Sequence, residues 1–171
     1  MGAVTAPRPL QADDDRAAFD CGRPSLNAWF QRHAWANHAS GITRTNVICD
    51  PASGLVASYV SLSAAQIERA LLPKPQRRNK PDPIPVTLLG QLAIATTCQG
   101  QGHAKSLLGF ALRSAVAAAA GHVGSYAVIT HPLDDAVRAF YARFHFEDLP
   151  GDSKRAMFVR ISELIATGFA P

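Results

Sequence analysis

The chain has 171 residues, a formal net charge of +4 and a pI of about 9.3. Hydrophobic residues make up 47% of it and charged residues 18%, which excludes an intrinsically disordered protein and is typical of a globular one. The length predicts a single domain over residues 1–171. The moderate positive charge is compatible with a polyanionic ligand and does not require one.

The composition also bears on metals, redox state and membranes. Cys21, Cys49 and Cys98 are widely spaced and form no CxxC pair, which argues against a disulfide framework or a zinc site. The histidines show no ligand spacing, so we predict no metal. The start lacks a basic region followed by an apolar one, and no apolar run is long enough to span a bilayer. We therefore expect a cytoplasmic protein with reduced thiols and no membrane contact.

The first third of the chain predicts one helix and two strands after an irregular start. Residues 1–20 are polar, and the aspartates at 13–15 are interpreted as a solvated loop. Proline suits a first helical turn, and apolar residues at helical spacing predict a helix over 24–37. Strands are predicted at 46–49 and 55–63, joined by a turn rich in Asp, Pro, Ser and Gly.

The rest of the chain alternates between strands and helices. Five prolines over 73–85 predict an exposed loop, because proline suits neither a helix nor a central strand. A strand at 86–95 precedes a helix over about 104–121, whose apolar residues recur at i, i+3, i+4 and i+7. The remaining predicted elements are a strand at 125–130, a short helix capped by Asp134, and strands at 146–149 and 157–161. This order predicts a mixed α/β fold.

The turn QGQGHA, residues 99–104, joins the strand at 86–95 to the amphipathic helix. A glycine-bearing turn that opens a helix leaves backbone N–H groups unpaired at the positive end of the helix dipole, which is typical of a phosphate site. A P-loop does not fit, because Lys105 follows alanine, and GxGxxG lacks its third glycine here. The pattern Gln/Arg-x-x-Gly-x-Gly/Ala, met by Gln99, Gly102 and Ala104, resembles the pyrophosphate loop of the GCN5-related N-acetyltransferases (GNATs), where it holds coenzyme A.

Five segments in a fixed order extend this resemblance over about residues 19–161. They read FDCGRPSLNAWFQRHAWAN, SYVSLSAAQIER, RRNKPDPIPVTLLGQLAI, QGQGHAKSLL and AVRAFYARFHFEDLP. Together they resemble the GNAT toxins of bacterial type II toxin–antitoxin systems. The resemblance implies a GNAT fold, in which two central parallel strands of a mixed sheet splay apart to form an acetyl-CoA cleft. It also implies a homodimeric toxin that acetylates the α-amino group of aminoacyl-tRNA, blocks translation and is neutralised by a ribbon-helix-helix antitoxin.

The resemblance also implies roles for particular residues. Backbone groups of Leu92, Ala93 and Ile94 would bond the pantetheine arm, and an N–H there would polarise the thioester carbonyl. Tyr141, in the motif FYARF, would act as general acid beside the thioester sulfur. The pyrophosphate would be bound by the loop residues Gln99, Gly100, Gln101, Gly102, His103, Ala104 and Lys105. No general base is predicted, because an α-amino group with a pKa near 8 is partly neutral at pH 7.

The candidate tRNA contacts are cations, mostly of the proline-rich loop. They are Lys74, Arg77, Arg78 and Lys80, with Arg44 and Arg32 as outer positions. Neutralisation of phosphates by such a cluster predicts salt-dependent binding, and a solvated loop is the alternative interpretation. Among the histidines, His131 is placed at a strand end facing the cleft.

Two positions depart from the family pattern. Gln91 stands where the family's strand has arginine, and His103-Ala104-Lys105 stands where glycine and arginine are commoner. Ala104 still meets the loop pattern, so we expect acetyl-CoA binding to be retained. Two other functions use the same cofactor site: an acetyltransferase for a small amine or a protein N-terminus, and a CoA-binding module without catalysis.

Overall fold

The computed structural model describes residues 4–169, which form an α/β structure. The strands in this range are β1 Arg8–Pro9, β2 Arg44–Cys49, β3 Val56–Ile67, β4 Ile84–Ile94, β5 Ala127–Thr130, β6 Glu147–Asp148 and β7 Met157–Arg160. The α-helices are α1 Pro24–Arg32, α2 Ala34–Ala39, α3 His103–Gly121, α4 Asp135–Ala142 and α5 Ile161–Ala166. Short 3-10 turns occur at Arg69–Leu71, Lys74–Gln76 and Thr96–Cys98. None of the helices within 4–169 combines the length and the apolar character needed to cross a bilayer.

The strands form one mixed sheet in the order β1-β2-β3-β4-β5-β7-β6. Antiparallel pairing joins β1 to β2, β2 to β3, β5 to β7 and β6 to β7. The pairing of β4 with β5 is parallel. The predicted mixed α/β class is therefore confirmed.

The chain folds as two compact units. The first runs up to Ser63 and includes Gly90–Ala111. Its core is aromatic: Phe30 stacks on Tyr59 with ring centroids 4.2 Å apart, and Phe19 meets both rings edge-on. The Tyr59 hydroxyl donates to the Leu26 carbonyl at 2.7 Å, so this buried polar group is satisfied.

The second unit comprises Ala64–Leu89 and the residues from Leu112 onward. Its core includes Leu72 and Phe158, both fully buried, together with Ile84 and the β5 residues Ala127 and Ile129. These residues come from the loop after β3, from β4, β5 and β7, so the unit is held together by hydrophobic contacts distant in sequence. The single domain expected from the length stays a prediction.

Several sequence predictions are confirmed in detail. The amphipathic helix is α3, whose apolar stripe, including Leu107, Leu108 and Leu112, is buried. The Asp134 side chain accepts a hydrogen bond from the Val137 N–H at 2.9 Å, so the predicted cap of α4 is formed. The strands at 46–49, 55–63, 86–95 and 125–130 lie within one to four residues of the observed bounds.

Two predictions were wrong. The helix over 24–37 is two helices, since His33 leaves the helical conformation at φ −120°. Residues 1–20 are not all loop, because Arg8–Pro9 pairs with β2, and Asp14 is not solvated, because it forms an ion pair with Arg8 at 2.6 Å.

The proline-rich loop and the last strand differ from their predicted bounds by only one or two residues. The proline-rich loop ends before position 85, because Pro85 lies in β4, where its carbonyl accepts the Tyr126 N–H at 2.9 Å. The predicted strand over 157–161 ends at Arg160, where helix α5 begins.

Candidate active site

The glycine turn before α3 exposes backbone donors. Gly100 and Gly102 have φ angles of +76° and +83°, which other residues rarely adopt, and a Cβ at either position would meet nothing within 4 Å. Glycine is therefore required at these positions by the backbone conformation, and not by a lack of room for a side chain. The first bond into α3 runs from the Ser106 N–H to the Gly102 carbonyl. Within the described residues, the N–H groups from Gln101 to Lys105 have no acceptor, as a phosphate-binding helix N-terminus requires.

The side chain of Gln99 braces this turn. Its Nε2 atom donates to the Cys21 carbonyl at 3.1 Å and to the Ile94 carbonyl at 3.0 Å. Both N–H groups of the amide are therefore used within the protein. Gln99 fixes the turn against the end of β4, and it does so through its side chain.

The first residues of α3 add two different side chains. His103 is half-buried, and its Nε2 atom is buried with no hydrogen-bond partner among the described residues. A buried polar atom without a partner is costly, so this nitrogen fits a site that is completed by a ligand. Lys105 is exposed, and Ala104 is half-buried between them. These features fit the pyrophosphate of acetyl-CoA.

The strand that precedes the turn is paired with β5 only at its start. The parallel register joins Thr87 to Val128 and Leu88 to Ile129, and β4 then runs on to Ile94. The predicted pantetheine-binding residues lie in this last part. The Ala93 side chain is buried, and those of Leu92 and Ile94 are half-buried.

Gln91, the departure from the family pattern, has a partner in this structure. Its Oε1 atom accepts a hydrogen bond from the hydroxyl of Ser61, a buried residue of β3. A neutral amide satisfies a buried hydroxyl without placing a charge beside it. Glutamine at position 91 therefore fits the neutral, hydrogen-bonding environment that Ser61 provides.

Tyr141 is buried among aromatic rings of the second unit. It is 4% exposed, and its ring lies 5.3 Å from that of Phe140 and 5.1 Å from that of Phe146, measured between centroids. Burial raises the pKa of Tyr141 to about 12, although a hydrogen bond with the Thr130 side chain acts in the opposite direction. The hydroxyl is therefore protonated at neutral pH and is able to donate a proton or a hydrogen bond.

The structure separates the predicted tRNA contacts by environment. The Arg77 Nε atom donates to the Leu72 carbonyl at 2.7 Å, and the Lys80 ammonium lies 5.2 Å from the centroid of the Tyr126 ring. Lys74 and Arg78 are exposed. Arg44 and Arg32 are also exposed but belong to the first unit, on β2 and at the end of α1.

Comparison with known proteins decides the family. No protein-family model matches the chain. A tRNA-acetylating toxin from Mycobacterium tuberculosis is 38% identical to it over 159 residues, which are 93% of this chain and 94% of that protein. The chain belongs to the family of tRNA-acetylating toxins.

Solved structures of GNAT toxins are similar to this family member over nearly its whole length. A tyrosine-to-phenylalanine mutant of KacT has a TM-score of 0.88 at 27% identity, covering 96% of this chain and 98% of that one. AtaT complexed with acetyl-methionyl-tRNAfMet has a TM-score of 0.87 at 29% identity, covering 96% and 99%. A mutant AtaT bound to acetyl-CoA and the C-terminus of the antitoxin AtaR has a TM-score of 0.81 at 26% identity, covering 98% and 99%. The predicted GNAT fold is confirmed.

A cavity of about 570 Å³ in the first unit of this toxin was not predicted from the sequence. Asp15, Asp20 and Asp50 lie in its wall together with Cys98 and Gln101. Each carboxylate caps a turn: Asp15 accepts from the Ala18 N–H, Asp20 from Gly22 and Asp50 from Ser53. Local turn geometry therefore explains these residues, and their charge does not suit a phosphate.

A second cavity, of about 470 Å³, lies in the second unit of the toxin and includes His131 in its wall. The prediction for His131 was a place at a strand end, and the structure puts it directly after β5, exposed. The other wall residues come from distant segments, so no local pattern indicates the cavity. In the part of the toxin that the structure describes, no group of three or more His, Cys, Asp or Glu side chains is arranged to hold a metal ion.

Proposed function

We propose that this toxin transfers the acetyl group of acetyl-CoA to the α-amino group of an aminoacyl-tRNA. The observation that carries the proposal is the glycine turn, whose N–H groups from Gln101 to Lys105 have no acceptor in the described structure at the start of a 19-residue helix. The tRNA-acetylating relative and the AtaT complexes with acetyl-CoA and with acetylated tRNA supply the acyl donor and the acceptor. An acetylated α-amine cannot form a peptide bond, so the modification blocks translation.

The first unit binds the cofactor mainly through its backbone. The N–H groups of the turn and of the first turn of α3 hold the pyrophosphate, His103 Nε2 supplies a further hydrogen bond, and Lys105 adds a positive charge. Gln99 keeps the turn in place. Backbone groups of Leu92, Ala93 and Ile94 bond the pantetheine arm, and the Ile94 N–H stabilises charge on the thioester oxygen.

Acetyl-CoA supplies the acetyl group as a thioester, and Tyr141 assists the departure of its sulfur. The neutral α-amine attacks the carbonyl carbon, so a C–N bond forms and the C–S bond breaks. The nitrogen loses a proton to solvent, and the sulfur gains one from Tyr141, which solvent then reprotonates. Because the pKa of Tyr141 is raised to about 12, the proton stays on the hydroxyl until charge builds on the sulfur.

The remaining parts of the proposal concern partners and location. Structures of the AtaT-AtaR complex bound to DNA and of KacTA with DNA support a DNA-binding antitoxin as partner of this toxin. The family resemblance implies that this antitoxin is of the ribbon-helix-helix type. The toxin acts in the cytoplasm, because aminoacyl-tRNA is used there, and the family resemblance implies that it is a homodimer. As part of the same proposal, the chain is a single acetyltransferase domain.

Mass spectrometry of aminoacyl-tRNA tests the proposal. Aminoacylated total tRNA is incubated with the toxin and acetyl-CoA, digested with nuclease, and searched for N-acetyl-aminoacyl-adenosine, with Tyr141→Phe in parallel. We expect the product with the wild type and only traces with the variant. Acetylation of free amines or peptide N-termini without any acetylated tRNA would select the alternative acceptor. Acetyl-CoA binding without acetylation of any acceptor would select the non-catalytic module.

A further inference from the structure

Residues 20–22, just before α1, are hydrogen-bonded to the chain that enters the glycine turn, and we call them the anchor segment. The Asp20 carbonyl accepts the Thr96 N–H at 2.9 Å, and the Cys21 carbonyl accepts Gln99 Nε2 at 3.1 Å. The two bonds are made at the first residue of the 3-10 turn after β4 and at the residue that follows this turn. The anchor segment therefore holds the connection between β4 and the glycine turn at both ends.

Gln99 links the anchor segment to the end of β4. The amide nitrogen that donates to the Cys21 carbonyl also donates to the Ile94 carbonyl at 3.0 Å. An amide NH₂ group has two hydrogens, so these two bonds use both of them and fix the orientation of the side chain. Movement of the Cys21 carbonyl would release one of the two bonds. The position of the anchor segment thus controls how firmly Gln99 holds the turn.

Asn27, a half-buried residue of α1, binds the anchor segment with both ends of its amide. Its Oδ1 atom accepts the Cys21 N–H at 2.9 Å, and its Nδ2 atom donates to the Asp20 carboxylate at 2.7 Å. The same carboxylate oxygen accepts the Gly22 N–H at 2.8 Å. The bonds from Gly22 and from Asn27 lower the pKa of Asp20, so the carboxylate is charged at neutral pH. A charged acceptor makes these hydrogen bonds stronger than neutral ones.

Helix α1 gives Asn27 a firm support, because the helix is anchored in the aromatic core of the first unit. Phe30 is fully buried and stacks on the Tyr59 ring with centroids 4.2 Å apart. The Tyr59 hydroxyl donates to the carbonyl of Leu26, the residue directly before Asn27, at 2.7 Å. A continuous series of contacts therefore runs from this core through Asn27 and the anchor segment to Gln99.

We propose that Asn27 is a positioning residue for acetyl-CoA, which holds the anchor segment so that Gln99 keeps the glycine turn in its binding conformation. The inference rests on the proposed function, in which the N–H groups from Gln101 to Lys105 bind the pyrophosphate. A turn that is ordered before the cofactor arrives loses less conformational entropy on binding. Loss of the Asn27 amide therefore weakens the binding of acetyl-CoA, although it removes no group that contacts the cofactor.

Calorimetric titration of acetyl-CoA into Asn27→Asp tests this role. Aspartate still offers an acceptor to the Cys21 N–H, but it replaces the donor to Asp20 by a second negative charge. We expect the Kd for acetyl-CoA to rise about tenfold, the effect of losing one hydrogen bond to a charged group.

Exchanging the two side chains, as Asp20→Asn together with Asn27→Asp, should restore the wild-type Kd. The new asparagine can donate to the new aspartate and accept the Gly22 N–H, while the new aspartate accepts the Cys21 N–H. A Kd that stays about tenfold raised in a folded exchange variant would contradict the assigned hydrogen bonds.

Asp14→Asn is the control for a general loss of stability in the first unit. The Asp14 carboxylate pairs with Arg8 at 2.6 Å and accepts the Gln11 N–H at 2.8 Å, with no printed bond to the anchor segment. We expect this variant to melt at a lower temperature and to keep the wild-type Kd. A purely structural role of Asn27 would give the same result in Asn27→Asp, namely a lower melting temperature with an unchanged Kd.

A double-variant cycle tests whether Asn27 acts through Gln99. Gln99→Met keeps the length of the side chain and removes both hydrogen bonds, so it should also raise the Kd for acetyl-CoA. Combined with Asn27→Asp, the rise should be clearly smaller than the product of the two single rises, because the second change loosens a brace that is already lost. A rise equal to the product would show that Asn27 acts independently of Gln99.

The outcomes separate this inference from the proposed function. If the wild type does not bind acetyl-CoA, the proposed function fails and the inference fails with it. If the wild type binds acetyl-CoA and a folded Asn27→Asp variant binds it equally well, the inference alone fails. A raised Kd in Asn27→Asp, an unchanged Kd in Asp14→Asn and recovery in the exchange variant would together establish the positioning role.

Discussion

The glycine turn of the first unit and the tyrosine pocket of the second build function in opposite ways. The turn uses exposed backbone N–H groups, and its geometry is set by two glycines with positive φ. The pocket uses one side chain, Tyr141, whose properties come from burial among aromatic rings contributed by α4 and by residues after it. In the proposed mechanism, cofactor binding therefore depends mainly on the conformation of a short turn, whereas proton donation depends on tertiary packing.

The largest expected effect is loss of the Tyr141 hydroxyl. Tyr141→Phe should lower kcat for aminoacyl-tRNA acetylation by roughly 10²–10⁴-fold, the usual contribution of a positioned proton donor. The phenyl ring still fills the pocket, so the melting temperature should change little. Single-turnover acetylation assays measure the rate. A variant with more than about half of the wild-type rate would remove Tyr141 from the mechanism.

A smaller effect is expected from alanine in the glycine turn. Gly102→Ala should raise the Kd for acetyl-CoA by about tenfold, because alanine in the left-handed region costs about 1–2 kcal/mol. Gly121, at the end of α3, lacks a positive φ and has open space around it, so Gly121→Ala is the matched control and should leave the Kd unchanged. Isothermal calorimetry distinguishes the two. Equal affinities would show that the turn conformation is not needed for binding.

Tyr126→Phe should weaken the binding of tRNA modestly and leave the chemical step unchanged. The change removes the 2.7 Å hydrogen bond to Gln76 and should raise KM for tRNA about threefold with kcat unchanged. Gln76→Leu removes the same bond and also the 3.4 Å bond from Gln76 Nε2 to Glu147, so its effect should be at least as large. The double variant should be no worse than Gln76→Leu alone, because Tyr126→Phe then removes no further bond. Additive effects of the two substitutions on KM would contradict a shared role of Tyr126 and Gln76 in holding the segment Lys74–Lys80.

The smallest expected effect concerns stability and pH. Burial, together with the charge of Arg44, lowers the pKa of His38, whose Nδ1 accepts the Thr45 N–H at 3.0 Å. Because the pKa is lower in the folded state, the unfolded chain binds the proton first, and stability is lost as the pH falls below about 6.5. Urea unfolding at pH 7 and pH 5 should show a smaller loss in His38→Gln, whose amide oxygen also accepts. An equal loss would exclude His38 as the cause.

The sequence predicted best what a few adjacent residues determine. The Asp134 cap, the α3 stripe and the glycine turn each depend on short spacings, and all are present. The break at His33 was missed because Phe30 and Ala34 are both fully buried at a spacing of four, so the periodicity continues across it. The two-residue strand β1 is too short to give a pattern.

In the candidate site, too, the sequence predicts what adjacent residues determine and misses contacts between distant ones. The sequence predicts a phosphate site at this turn, but it did not indicate that the Gln99 side chain braces the turn, because that contact needs Cys21, far away in the chain. The sequence gives no reason to distinguish the four cations of the segment Lys74–Lys80, which are Lys74, Arg77, Arg78 and Lys80. Only packing separates Arg77 and Lys80, which hold the segment, from Lys74 and Arg78, which are exposed.

One measurement tests the division between binding and chemistry most directly: calorimetric titration of acetyl-CoA into Tyr141→Phe, beside the wild type. We predict the same Kd for both proteins, even with the variant almost inactive as predicted above, because the proposed site holds the cofactor mainly through backbone groups of the first unit. A Kd raised about tenfold or more in a folded variant would contradict the account, since Tyr141 would then be part of the binding site and its loss of activity would not report on chemistry.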